Sequence, residues 1–499
     1  MAHSPNQGDQ GVQFPLIEGR RSTQASGKRV FASAVRFVDS GLADRIEAAQ
    51  NWRKTYLPAV RQTVELGVRS SKDALRISSD GLEEIQRSFL FERDGESMTV
   101  DDACAAHAQS RFGTEVVEGT GDRDAELTIP FRGELLRADA LRRRLDVWRA
   151  EGRIEPSTAA AVGAVLDNSE WLDLRDVRIA LLGAASEMGP LEWLTRWGAD
   201  ILAVDLPVKH LWERILKFGS DGAGRVHVPV DTEGGAPADL AARAGADLLT
   251  AAPEIRTWLA ESGTPFVLGN YAYADGAMFV RVAVAADAIA ADLASGGHLS
   301  GYAYLASPTE VYSVPREVVD ASRGGGLTPR AMRVVSRNRL FAPNYGAVVD
   351  TEAGERGIFD CLVAQQGPNY ALAKTLQRWR AVVMRENGVV TSANVAPATR
   401  TMSVVKNRVL AAAYAGARPF GVEVFEPATS RALMAALLVH DIRNPKAAAR
   451  PETSLEHPYD LFADGAAHGG LWRMRYAPRT ALPLAVVLGF PRTAFSRNS

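Results

Sequence analysis

The chain has 499 residues, enough for two or three domains and a large core. Apolar residues make up 46% and charged residues 23%, with a formal net charge of −2. This composition excludes a wholly disordered chain and any bulk attraction to nucleic acid or an anionic membrane.

The N-terminus to residue 42 reads as largely disordered. Gln, Ser, Gly and basic residues dominate as far as Lys28, and no apolar stretch there makes a secretory signal. Residues 43–175 read as a helical region. Apolar positions at Ile46, Trp52, Leu57, Val60 and Val64 recur at helical spacing between Ala43 and about Phe91. Asp101–Phe112 reads as a further helix and Leu127–Phe131 as a short strand. Arg137–Glu151 is amphipathic, with Leu141, Leu145, Val147 and Trp148 on one side. Pro156 opens another helix that ends before Asp173.

Residues 176–443 change character. Val177–Leu182 is an apolar strand, Gly183 and Gly189 bracket a tight turn, and Leu191–Trp197 is a short helix. Asp200–Val204 is a second strand and ends at Asp205. Strand, glycine turn, helix, strand and acid make a βαβ unit of the dinucleotide-binding type. Glycine lets the backbone approach a pyrophosphate, the helix start offers N–H donors, and the acid accepts ribose hydroxyls. Further strands are expected at Val226–Val230, ending at Asp231, and at Ala246–Thr250, Pro265–Leu268 and Tyr302–Leu305. Helices fall at Ala238–Ala244, Glu254–Ser262, Ala277–Leu293 and Pro315–Ser322. The alternation predicts an α/β fold with a doubly wound, Rossmann-like parallel sheet. Residues 444–499 read as a loop-rich extension packed on that domain. Neither Ala277–Ala294, which contains Arg281, Asp287 and Asp292, nor the short Ala481–Phe490 run predicts an integral membrane segment.

Tyr370 and Lys374 lie one helical turn apart within Gln365–Val383. An ammonium there lowers a phenol's pKa and suits it to acid–base work. Together GAASEMG, Asp205, Tyr-x-x-x-Lys and the following Pro397 and Thr399 resemble the motif order of the short-chain dehydrogenases. That resemblance implies an NAD(P)-dependent oxidoreductase acting on a carbonyl or alcohol. Gly183, Ser186 and Gly189 would cradle the pyrophosphate. Asp205 would hold the adenosine ribose and favour NAD over NADP, with Asp231 near adenine. Tyr370 would be the acid or base, Lys374 its partner on the nicotinamide ribose, and Pro397 and Thr399 would adjoin the nicotinamide. Glu187 stands where the family has its middle glycine. GERGIFDC, Gly354–Cys361, stands where its serine is expected. These departures keep a second reading open, a catalytically inactive Rossmann-fold binding or regulatory protein.

Asn270, Tyr273 and Thr309 follow predicted strands, at the edge where open α/β sheets bind ligands, and are candidate substrate contacts. Asp275 suits a helix N-cap, Arg281 is expected to meet an internal carboxylate, and His468 is an alternative acid–base residue. Cys104 and Cys361 fit no metal spacing, so no metal site is expected and a cytoplasmic setting is the default. The expected partner is a small-molecule substrate, with no nucleic acid.

Overall fold

A computed structural model of the chain describes residues 10–106, 109–232, 239–324 and 341–495. Seven strands, numbered in chain order, form its central sheet. They are β1 (Phe112–Glu118), β2 (Arg178–Leu182), β3 (Asp200–Val204), β4 (Arg225–Asp231), β5 (Phe266–Asn270), β6 (Leu299–Tyr304) and β7 (Val390–Ser392). Their order across the sheet is β7-β6-β5-β2-β3-β4-β1. All neighbours are parallel except β1, which runs antiparallel to β4 at one edge.

The apolar runs of β2 and β3 explain why the sheet is covered on both faces. Successive side chains point to opposite sides of a strand. Ile179, Leu181, Ile201 and Ala203 enter one core with Trp193 and Leu433. Ala180, Leu182, Leu202 and Val204 enter the other with Phe279 and Trp379. The helices Leu191–Arg196, Lys209–Asp221 and Pro427–Arg443 pack in the first core. Thr23–Val35, Ser71–Ser88, Gly276–Ser295 and Gly367–Glu386 pack in the second. The protein is therefore mixed α/β, with a mostly parallel sheet flanked by helices.

Three expectations are corrected. Residues 10–42 are ordered. Ser22 caps Thr23–Val35 by accepting from Ala25 N, Asp39 caps Ser40–Ala48, and Val30, Phe31 and Val35 are buried. The polar composition hid this short apolar stripe; residues 1–9 lie outside the described residues. Ala246–Thr250 is not a strand. Asp247 turns the chain there, its side chain accepting from Leu249 N, and Val12 N takes the Leu249 carbonyl. The helix expected over Asp101–Phe112 covers only Val100–Ala105, and Phe112 instead begins β1. After the buried Phe112, β1 alternates half-buried and exposed residues, as an edge strand does. Val311–Pro315, to which the sequence reading assigns no strand, pairs with Gly354–Asp360 in a small antiparallel sheet between β6 and β7.

The C-terminal extension is less loop-rich than expected, because Pro478–Phe495 is helical. It is tied to the loop after β7, where Ala467 N donates to Val395 O. No helix is long and apolar enough to cross a membrane among the described residues.

Candidate functional site at the carboxyl edge of the sheet

The strand order reverses between β2 and β5, and the chain leaves β2 through the glycine turn. Gly183 has a φ of +80°, which a Cβ disfavours. A Cβ there would lie 2.7 Å from Ala272 Cα. The glycine is therefore required by the segment that leaves β5. Replacing Gly183 with Ala is expected to cost roughly 2–4 kcal/mol, from left-handed strain and collision with backbone, measured by urea denaturation.

Five N–H groups of the turn, those of Gly183, Ala184, Ala185, Ser186 and Gly189, are engaged within the protein. Gly183 N and Ala184 N donate to Val204 O at 2.9 and 3.1 Å, Ser186 N to Gly183 O at 2.9 Å, and Gly189 N to Ser186 O at 3.1 Å. Ala185 N donates to Asp205 Oδ2 at 2.7 Å, and Asp205 Oδ1 accepts from Leu206 N at 2.8 Å. Burial pushes the Asp205 carboxyl up, against those two N–H groups. Arg214 donates to the Ala185 carbonyl. Asp205, the expected ribose ligand, thus closes the turn. Glu187 swings away, its carboxylate accepting from Met402 N at 2.8 Å. The helix that follows has only six residues, Leu191–Arg196. These partners occupy the N–H groups of Gly183, Ser186 and Gly189, where the pyrophosphate cradle is expected.

The remaining cofactor candidates are similarly occupied. Asp231, at the end of β4, pairs with Arg111 at 3.4 Å. Thr399 is buried, donates to Pro397 O at 2.8 Å and shares a 2.7 Å hydrogen bond with Ser430. That lock fastens the loop after β7 to the Pro427–Arg443 helix.

Tyr370 and Lys374 do share one face of the Gly367–Glu386 helix, at the same carboxyl edge. Lys374 Nζ donates to Leu305 O and Gln377 Oε1, each at 3.1 Å, and lies 5.9 Å from the ring centres of Phe279 and Tyr304. Ser307 and Thr309 lie near the Tyr370 hydroxyl and act to lower its pKa. Burial, reinforced by Glu310, pushes the Tyr370 phenol up. Burial lowers Lys374, against Glu310. The expected depression of the phenol by its lysine neighbour is thus reversed, because desolvation dominates.

The substrate candidates divide. Thr309 joins this cluster through Ser307 at 2.9 Å and Gln366 at 2.9 Å. Tyr273 is exposed, donates to Asp275 at 3.0 Å and stacks near Phe279, whose ring lies 6.1 Å from that of Tyr370. Asp275 occupies the N-cap position without making a side-chain cap bond. Asn270 is buried at the end of β5, opposite Leu182 and Tyr304. Tyr302 is within its electrostatic reach, yet neither carboxamide atom meets a partner at hydrogen-bond geometry. Arg281 donates to the Val12 carbonyl rather than to a carboxylate.

A small cavity of about 10 Å³ lies beside these groups, lined by Met188, Pro190, Tyr271, Tyr304, Ser392 and Asn394 among others. These residues follow or end β2, β5, β6 and β7, so the cavity sits where the strand order reverses. The Tyr304 hydroxyl is buried and has no hydrogen-bond partner among the described residues. Beneath the cavity is a network that sequence reasoning missed. Asp441 Oδ2 accepts from Ser392 Oγ at 2.6 Å and Asn394 Nδ2 at 2.7 Å, and His440 Nδ1 lies 3.1 Å from Oδ1. Its signal was present: His440 and Asp441 end the apolar run Ala432–Val439, and buried polar residues in such a run need partners. No protein-family model and no curated protein matches this chain.

Proposed function

We propose that this protein is a doubly wound, Rossmann-like binding protein that takes a small polar molecule at the carboxyl edge of its sheet, and that it works without a dinucleotide in the glycine turn. The parallel strand order and the helices on both faces support the doubly wound reading. The observation that carries the functional reading is the Ala185 N–Asp205 bond, which uses one acid to close the turn that should hold the cofactor. The cavity, at about 10 Å³, has room for about one water molecule. Its free Tyr304 hydroxyl and the neighbouring Ser392 and Asn394 offer hydrogen-bonding groups to a polar molecule that enters there as the lining side chains move apart.

Titration with NADH and NADPH, followed by energy transfer from the tryptophans, tests this reading. Trp193 and Trp197 lie just beyond the turn. No transfer is expected at millimolar dinucleotide, and saturable transfer would overturn the proposal.

The gathering of Tyr370, Lys374 and Thr309 at one edge favours a second reading, an NAD(P)-dependent oxidoreductase with Tyr370 as proton donor. A phenol pushed up by burial stays protonated at neutral pH, which suits donation better than abstraction. Dinucleotide-dependent turnover of aldehydes or ketones that Tyr370→Phe abolishes would establish that reading in place of the first.

A further inference from the structure

We propose that the surface formed by the helices Met402–Lys406, Arg408–Ala415 and Pro478–Phe495 docks on an anionic lipid bilayer. The C-terminal helix is inside out for a surface helix of a globular protein. From Ala481 to Pro491 it carries no polar side chain. Its small residues face the protein: Ala481, Ala485 and Gly489 are buried. A Cβ on Gly489 would strike the Ala412 carbonyl, and one on Gly416 the Ala485 carbonyl, so the two backbones touch. The large residues face outward. Val487 is 65% exposed, Phe490 56% and Leu488 37%. Met402, at 55%, with Val405 and Val409, extends the apolar surface on the neighbouring helices. Solvent-facing apolar side chains concentrated in this way mark an interaction surface.

Charge identifies the partner. Residues 387–422 and 465–499 contain no Asp or Glu, although the chain as a whole is slightly acidic. Arg400, Lys406, Arg408 and Arg418 are exposed there. Glu187 approaches from another segment, and its carboxylate is engaged by Met402 N. An apolar face rimmed by cations fits the headgroup boundary of an anionic bilayer, where the large side chains enter the acyl region and the cations meet lipid phosphates. A second copy of the chain fits less well. A twofold contact would bring this acid-free, cation-rimmed surface against its own copy, and like charges repel. The surface lies on the bilayer rather than crossing it, since no described helix is long and apolar enough to span.

The full chain is to be sedimented with vesicles of phosphatidylcholine alone and of phosphatidylcholine mixed equally with phosphatidylglycerol. Binding is expected only to the mixed vesicles and should weaken as salt rises. The double variant Lys406→Glu/Arg408→Glu should lower the partition coefficient at least about 20-fold. Val405→Glu/Val487→Glu should abolish sedimentation while leaving the circular dichroism spectrum unchanged, because both sites are exposed. Equal binding to both vesicles, or to neither, would overturn the proposal. So would a dimer in sedimentation velocity that Val405→Glu/Val487→Glu dissociates, which would identify a second copy as the occupant.

Discussion

Replacing Asp287 with Ala is expected to destabilise the protein by about 3–5 kcal/mol. Asp287 and Arg380 are both buried, on the Gly276–Ser295 and Gly367–Glu386 helices. The guanidinium meets the carboxylate through two parallel bonds, Nε to Oδ1 at 2.6 Å and the second nitrogen to Oδ2 at 2.7 Å. Burial lowers the Arg380 pKa, but Asp287 outweighs it and leaves the guanidinium above its ordinary value. Truncating the acid strands a cation in the core, which costs more than the pair itself contributes. The double variant Asp287→Leu/Arg380→Met should therefore recover much of the loss, which denaturant midpoints would measure. Asp101 gives a second readout. Burial, then Asp287, pushes its carboxyl up to about 7, so it should titrate lower once Asp287 is gone.

The second large effect is acid sensitivity at Glu155. His468, a candidate acid–base residue from the sequence, is fully buried and stacked on Trp472 at 4.9 Å. Its Nδ1 accepts from Gly470 N at 3.0 Å, which assigns the proton to Nε2, and Nε2 donates to Glu155 at 2.8 Å. Arg473 adds two bonds to the same carboxylate, at 2.8 and 2.5 Å. Burial alone would raise the Glu155 carboxyl, but Arg473 and His468 outweigh it and hold it at about 2, against an ordinary 4.5. A depressed acid stabilises the fold fully above its unfolded pKa and loses that contribution as pH falls through the folded value. Roughly 3 kcal/mol should vanish between about pH 5 and pH 2. Burial also lowers His468, so protonating its ring in acid costs stability in the same direction. Glu155→Gln should flatten the acid limb of a stability–pH profile and lose a similar amount at neutral pH.

The parts of this protein legible in its sequence were those with strong local periodicity. β2, β3 and the turn between them lie within a residue of their expected positions, because continuous apolar runs bounded by glycine permit few alternatives. β1 was hidden, because an edge strand with alternating exposure carries a weak signal and Asp101–Asp102 suggested a helix start. The site was harder to read for a different reason. GAASEMG predicts a glycine turn, but a turn that cradles a ligand and one that packs on its neighbour need the same residues. Asp205 distinguishes them only through where its oxygens point, toward Ala185 and Leu206. Likewise, Tyr370 and Lys374 were correctly paired on one helix face, yet the sign of the phenol's shift depended on burial by segments far away in sequence.

Amide hydrogen exchange across Gly183–Gly189, with and without NADH, tests the closed turn most directly. The bonds from Gly183, Ala184, Ala185 and Ser186 exist without any ligand, so these amides should already be protected in the free protein, with rates that dinucleotide leaves unchanged. Fast exchange that slows on addition of NADH would contradict the account.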